Sequence, residues 1–116
     1  MEVIEYQDIS IKLAPTMDAL SHPARLQIIL HLAKYNDCTA GSISERLPLS
    51  KSTVSQHLSK LKAVGLITSS PDGLCQRYRL NENALNELNM QYHLLLNTIR
   101  ELSKTKVDCP GGGCKK

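Results

Sequence analysis

The sequence predicts a mainly α-helical domain with one small β-hairpin, and three observations predict it. The core has to be assembled without large aromatic groups, because the 116 residues include no Trp, no Phe and four Tyr. Leu, Ile, Val, Ala and Met remain as core formers, a set that favours packed helices over a β-sandwich. Apolar residues recur at helical spacing along most of the chain. Residues 66–80 alternate instead, around the turn chemistry of Pro71-Asp72-Gly73. At this length the chain reads as one domain, residues 1–106, with a tail, residues 107–116, whose Cys-Pro-Gly-Gly-Gly-Cys composition predicts flexibility.

From Tyr6 to Leu20 the apolar residues Ile9, Leu13, Met17 and Leu20 fall at steps of 4, 4 and 3. This is a helical stripe, kinked or started late by Pro15. Ser21 offers a cap oxygen and Pro23 suits a first turn, so Ser21-His22-Pro23 opens a second, central helix through Leu26, Ile28, Ile29, Leu30, Leu32 and Ala33. Tyr35-Asn36-Asp37 is a turn. Thr39 or Ser42 caps a short third helix carrying Ile43 and Leu47, ended by Pro48. Leu49-Ser50-Lys51-Ser52 leads into a fourth helix with a buried stripe of Val54, Leu58, Leu61 and Val64, stopped at Gly65. Leu66-Ile67-Thr68 and Gln76-Arg77-Tyr78-Arg79-Leu80 form the hairpin, with Tyr78 pointing inward and both arginines on the other face. Asn81 or Asn83 caps the last helix. There Leu85, Leu88, Tyr92, Leu95, Ile99 and Leu102 recur at steps of 3, 4, 3, 4 and 3, a heptad-like seam that calls for a facing helix. The facing helix is either the chain's own first helix or a second copy, with Leu13 and Met17 contributing, and both pairings are compatible. A domain this small gains appreciably from burial through self-association.

Charge is concentrated. Residues 50–80 carry five bases, Lys51, Lys60, Lys62, Arg77 and Arg79, against the single acid Asp72, while the segments on either side are nearly balanced. A local basic surface suits a polyanion. No apolar run approaches the roughly 20 residues needed to span a bilayer and no leader opens the sequence, so a cytoplasmic chain without a membrane partner is expected. In that compartment Cys38, Cys75, Cys109 and Cys114 stay reduced, which points to metal, metalloid or redox chemistry rather than structural disulfides. Neither a nucleophile–base pair nor an acidic dyad on a recognisable scaffold is present, which argues against an enzyme.

The third and fourth helices, joined by Pro-Leu-Ser, make a helix-turn-helix. Lys51, Ser52, Ser55, Gln56 and Ser59 face outward on the fourth helix, with Thr53 and His57 on its flanks and Lys60 near its end. Small side chains let such a helix lie deep in a major groove, where the Gln56 amide suits adenine and Lys51 suits guanine or phosphate. Ser50 and the free N–H groups behind it suit a phosphate. Ser69, Ser70, Gln76, Arg77 and Arg79 of the hairpin suit the adjacent backbone or minor groove. The competing reading is a merely solvated polar face, and for His57 a structural hydrogen bond.

Four blocks carry a family resemblance: Ala19-Leu20-Ser21-His22-Pro23-Ala24-Arg25-Leu26-Gln27-Ile28, Ser52-Thr53-Val54-Ser55-Gln56-His57-Leu58-Ser59-Lys60-Leu61, Ala63-Val64-Gly65-Leu66-Ile67 and Tyr78-Arg79-Leu80. In this order and spacing, over about Leu13 to Leu102, the chain resembles the ArsR/SmtB family of winged helix-turn-helix repressors. The resemblance implies a homodimer through the first and last helices, bound to an inverted repeat of double-stranded operator DNA with no cofactor required, and released by an inducer.

The inducer positions of that family match unevenly. The last helix has only His93 where one family zinc site needs several ligands, and Ala40 stands where a Cys-x-Cys pair beginning at Cys38 would place its second thiol. Cys109 and Cys114 compensate as a C-x4-C pair. With Cys38, from the same or the other subunit, they supply the three thiolates that trivalent arsenic or antimony takes. Cys38 precedes a helix N-terminus and is expected to gain thiolate character from it. Cys75 is the weaker third ligand, or a small strand residue. Two alternatives use the same sulfur atoms: oxidation or persulfide chemistry joining two thiols, and Zn(II) or Cd(II) held by all four cysteines.

Overall fold

The structure, a computed structural model, describes residues 7–111; Tyr6 and Cys114 lie outside the described residues. In chain order its elements are α1 (Asp8–Leu20), α2 (Pro23–Lys34), α3 (Ala40–Ser44), α4 (Lys51–Ala63), β1 (Ile67–Asp72), β2 (Cys75–Leu80) and α5 (Glu82–Lys104). This is the expected mainly helical, hairpin-bearing architecture. Ile28 and Leu32 of α2, Ile43 of α3, Val54, Leu58 and Leu61 of α4, and Leu66 and Ile67 behind them are fully enclosed. The helix-turn-helix therefore stands on one shared apolar core, to which α4 gives Val54, Leu58 and Leu61; Val64, the fourth residue of the expected stripe, falls past the helix end and is half-buried. Neither described methionine joins that core: Met17 and Met90 are exposed.

Several boundaries differ from expectation, each for a local reason. Ser21 does not start α2; its hydroxyl donates to the Asp18 carbonyl and closes α1, while His22 caps α2 by accepting the Ala24 N–H at Nδ1. Helix α1 runs through Pro15 without a break. Helix α3 is capped by Thr39, whose hydroxyl accepts the Ser42 N–H, and ends at Ser44, before Leu47 and Pro48 are reached. Pro71 and Asp72 belong to β1 rather than to the turn, which is made by Gly73-Leu74. Gly73 has φ +63°, and a glycine with positive φ at the first central position lets a two-residue loop follow the twist of its strands.

The hairpin is antiparallel, pairing Ile67 with Leu80, Thr68 with Arg79, Ser69 with Tyr78 and Ser70 with Arg77. Directly opposite residues share a face. Ile67 and Tyr78 therefore turn toward the core, and Arg77 and Arg79 away from it, as the alternation requires. Cys38 extends the hairpin by exchanging backbone hydrogen bonds with Tyr78 (3.1 and 2.8 Å). Gly65, at φ +80°, ends α4, and its carbonyl accepts from the Asn81 side chain, whose oxygen in turn caps α5 at Ala84. No described helix is long and apolar enough to cross a membrane.

Candidate nucleic-acid interface

Helix α4 begins where the Ser50 hydroxyl accepts the Thr53 N–H at 3.2 Å. The same hydroxyl donates to Thr53 Oγ1 at 2.9 Å, so Ser50 acts first as a helix cap, and phosphate binding there has to displace that bond. Opposite the buried stripe, Lys51, Ser52, Gln56, Ser59 and Lys60 are exposed, with Ser55 and Thr53 half-buried beside them. Ser59 donates back to the Ser55 carbonyl and leaves the Gln56 amide standing clear. Lys51 and Ser55 also line a cleft of about 240 Å³ between α3, α4 and β2, with Gln76 and Cys75 on its far side. Reading helix and wing thus border one mixed cleft, polar through Lys51, Ser55 and Gln76 and apolar through Leu74 and Tyr78.

His57 is placed differently. Its half-buried ring turns toward α2, where Nδ1 accepts from Arg25 Nε at 3.2 Å and the His22 ring lies 4.6 Å away. Arg25 also donates to the Ala19 carbonyl, tying α4 to the α1–α2 junction. Burial, then the charges of His22 and Arg25, push the His57 pKa below its ordinary value. A neutral, hydrogen-bonded ring makes this histidine a brace of the reading helix.

On the wing, Lys62 Nζ donates to Ser69 Oγ at 2.7 Å and locks α4 to β1. Arg77 pairs with Asp72 and Arg79 with Asp37, each at 2.6 Å and each solvent-exposed. Both arginines occupy the expected face, but neither is free of a carboxylate. Sequence reasoning missed Arg25 and Asp37, because their partners lie 32 and 42 residues away and no local spacing encodes such pairings.

Among the described residues, Cys38, Cys75 and Cys109 do not come together as one ligand set. Cys38 is buried (6% exposed); its Sγ donates to the Tyr35 carbonyl at 3.3 Å and sits 3.6 Å from His31 Nε2. Burial raises its pKa, offset in part by Arg46, which corrects the expectation of a dipole-stabilised thiolate: the α3 that follows has only five residues, and desolvation wins. Cys75 and Cys109 are exposed, so Cys75 is not a strand-filling core residue. The 23 residues of α5 rise about 33 Å between the wing and the start of the tail. Among the described residues no three His, Cys, Asp or Glu side chains converge as metal ligands.

Helix α5 has no fully buried residue although it packs on α1. Met17, Leu20, Leu85, Leu88 and Tyr92 line an apolar groove of about 630 Å³ between the two, Leu95 is half-buried, and Ile99 and Leu102 are exposed. Leu13 departs from the expected interface set: it is 4% exposed, enclosed near Val64, Leu66 and Leu88 of its own chain, and has no surface left for a partner.

Residues 22–69 match the family model described as bacterial regulatory protein, arsR family. The transcriptional regulator YgaV of Escherichia coli is 32% identical over 75% of this chain and 88% of its own. The chain belongs to the ArsR family. Further relatives differ in the sign of their names: the transcriptional activator HlyU of Vibrio cholerae is 30% identical over 82% of this chain and 87% of its own, and the transcriptional repressor SdpR of Bacillus subtilis 39% over 60% and 76%. An ArsR-like regulator from Rhodococcus superposes with a TM-score of 0.68 at 31% identity, covering 83% of this chain and 91% of that one. Reduced HlyU superposes at 0.60 and 30% identity, covering 73% and 90%. As an ArsR-family member the chain is a DNA-binding transcriptional regulator and not an enzyme, and the winged helix-turn-helix assignment applies to its α3, α4 and hairpin.

Proposed function

We propose that this regulator is a homodimeric cytoplasmic repressor that occupies an inverted repeat through α4 and the wing and leaves it when its thiols capture trivalent arsenic or antimony. The observation that carries the DNA reading is the exposed small-polar face of α4, with Lys51, Ser52, Gln56, Ser59 and Lys60 held opposite the buried Val54, Leu58 and Leu61. The apolar groove against α5, continued by exposed Ile99 and Leu102, supports a second copy as its cover. Two reading helices then address successive major grooves about 34 Å apart. Repression, not activation, follows the likeness to the repressor SdpR, and bound protein is expected to lower transcription.

For the signal, residues 107–116 act as the sensing tail, with Cys109 and Cys114 as a pair and Cys38 as third thiol, from either subunit. Each As–OH group condenses with one S–H and releases water, so a protonated Cys38 is compatible with capture. Zn(II) and Cd(II) must expel the thiol protons and take four ligands rather than three, which makes them weaker readings here. A second reading is thiol oxidation or persulfide bridging, in which two thiols give up two electrons and two protons to an oxidant as they join; the likeness to a protein solved as reduced HlyU favours keeping it. A hundredfold loss of operator affinity requires about 2.7 kcal/mol of coupling, within the ordinary range of allostery.

The test is release of the reduced protein from a duplex carrying its own upstream region, titrated in parallel with arsenite, antimonite, zinc, cadmium and persulfide. Arsenite or antimonite should release the wild type but not a Cys109→Ser/Cys114→Ser variant. Retained arsenite response in that variant rejects the tail ligands, and release by persulfide alone selects the second reading. A monomer in sedimentation, or no binding at low salt, defeats the dimeric DNA reading.

A further inference from the structure

The wing arginines converge on one residue of the α2–α3 turn. Arg79 donates to Asp37 Oδ1 from both Nε (3.0 Å) and Nη2 (2.6 Å), while Arg77 donates from Nη1 to the Asp37 carbonyl (2.7 Å) and from Nε to Asp72 Oδ2 (2.6 Å). Asp37 is held for this by its backbone. It sits at φ +56°, a left-handed conformation that aspartate tolerates through local polar contacts, and the next residue, Cys38, exchanges both backbone hydrogen bonds with Tyr78, the residue between the two arginines. A carboxylate from a turn more than 30 residues away in sequence is thereby pinned against the outer face of the wing.

All the side chains involved remain solvent-exposed, and exposed ion pairs hold weakly. The guanidinium fork accepts a phosphate as readily as a carboxylate, and a duplex offers phosphates at high charge density. We propose that Asp37 stands in for a DNA phosphate in the unbound protein, keeping Arg79 and its neighbour Arg77 aligned on the wing and ceding Arg79 to the duplex backbone on binding. Asp37 thus sets operator affinity without itself touching DNA. This inference rests on the reading of α4 and the wing as the DNA surface.

Asp37→Asn is the informative change, because asparagine keeps the left-handed backbone and still accepts a hydrogen bond while losing the charge. It should tighten binding to a duplex carrying the chain's own upstream region by about two- to fivefold per wing. The slope of log Kobs against log salt should steepen by up to about one per wing, since no carboxylate remains beside the phosphate. Arg79→Ala should weaken binding and cancel the Asp37→Asn gain in the double variant. A gain that persists undiminished in Arg79→Ala is general charge repulsion and overturns the proposal, as does an Asp37→Asn protein that binds no tighter than wild type. Should that variant fold poorly, the Arg79 Nε–H resonance of the wild type decides: it must shift when duplex is added, and constancy while α4 amides shift overturns the inference. Failure of the wild type to bind any duplex defeats the DNA reading itself, whereas binding with an indifferent Asp37 defeats this inference alone.

Discussion

At the scale of single residues, two positions on α4 do different work. The Gln56 amide has no hydrogen-bond partner among the described residues and can present donor and acceptor together to an adenine edge, whereas Lys51 carries a point charge at the helix start, where phosphates approach. Gln56→Ala should relax base preference by about 1–3 kcal/mol at one position while leaving non-specific binding intact. Lys51→Ala should weaken binding to all sequences and reduce the salt slope by about one. Competition titrations at several salt concentrations measure both, and unchanged binding in the two variants removes α4 as the reading helix. His57, adjacent to Gln56, shows how far one step around a helix changes a role, since its ring is turned inward to Arg25.

At the scale of elements, the termini decide orientation. Helix α4 starts on one side-chain cap, Ser50 to the Thr53 N–H, and α5 starts on another, Asn81 to the Ala84 N–H, with Asn81 also gripping the Gly65 carbonyl at the far end of α4. Start and stop of the reading helix are therefore each fixed by one hydrogen-bonding side chain. Ser50→Ala should destabilise the protein by about 1 kcal/mol in urea unfolding, because one N-terminal N–H loses its acceptor. No loss of stability would mean that water or the neighbouring Ser52 hydroxyl, 3.2 Å from Ser50 Oγ, replaces the cap. Helix α5 is the opposite case: its seam is regular, yet burial within one chain leaves it incomplete.

At the scale of the whole molecule, stability should depend on pH through two histidines kept neutral by the fold. Burial and then Arg46 lower the His31 pKa; burial, then His22 and Arg25, lower that of His57. The unfolded chain takes up these protons near pH 6.5, and the folded chain does so only at lower pH. The unfolded state therefore binds more protons between those limits, and stability falls as pH drops through that window and is level above it. Urea midpoints measured from pH 7.5 to pH 5 should decline; a flat or rising midpoint on acidification would contradict the neutral assignment of both rings.

Helix periodicity, cap residues and turn chemistry are local, and so the order of elements, the buried stripe of α4 and the placement of Arg77 and Arg79 on one strand face could all be read from residue spacing. Leu13 could not be separated from Met17 in this way, because both lie on one helical stripe and only the tertiary structure buries the first and leaves the second exposed. Ser21 likewise fits the pattern of either neighbouring helix end, and the path of the chain decided for α1. Cys38 carries the same lesson electrostatically: its position before a helix is written in the sequence, but its desolvation beside His31 depends on what the fold lays over it. Asp37 is the furthest case, since a pairing across 42 residues exists only once the α2–α3 turn and the wing have been brought together.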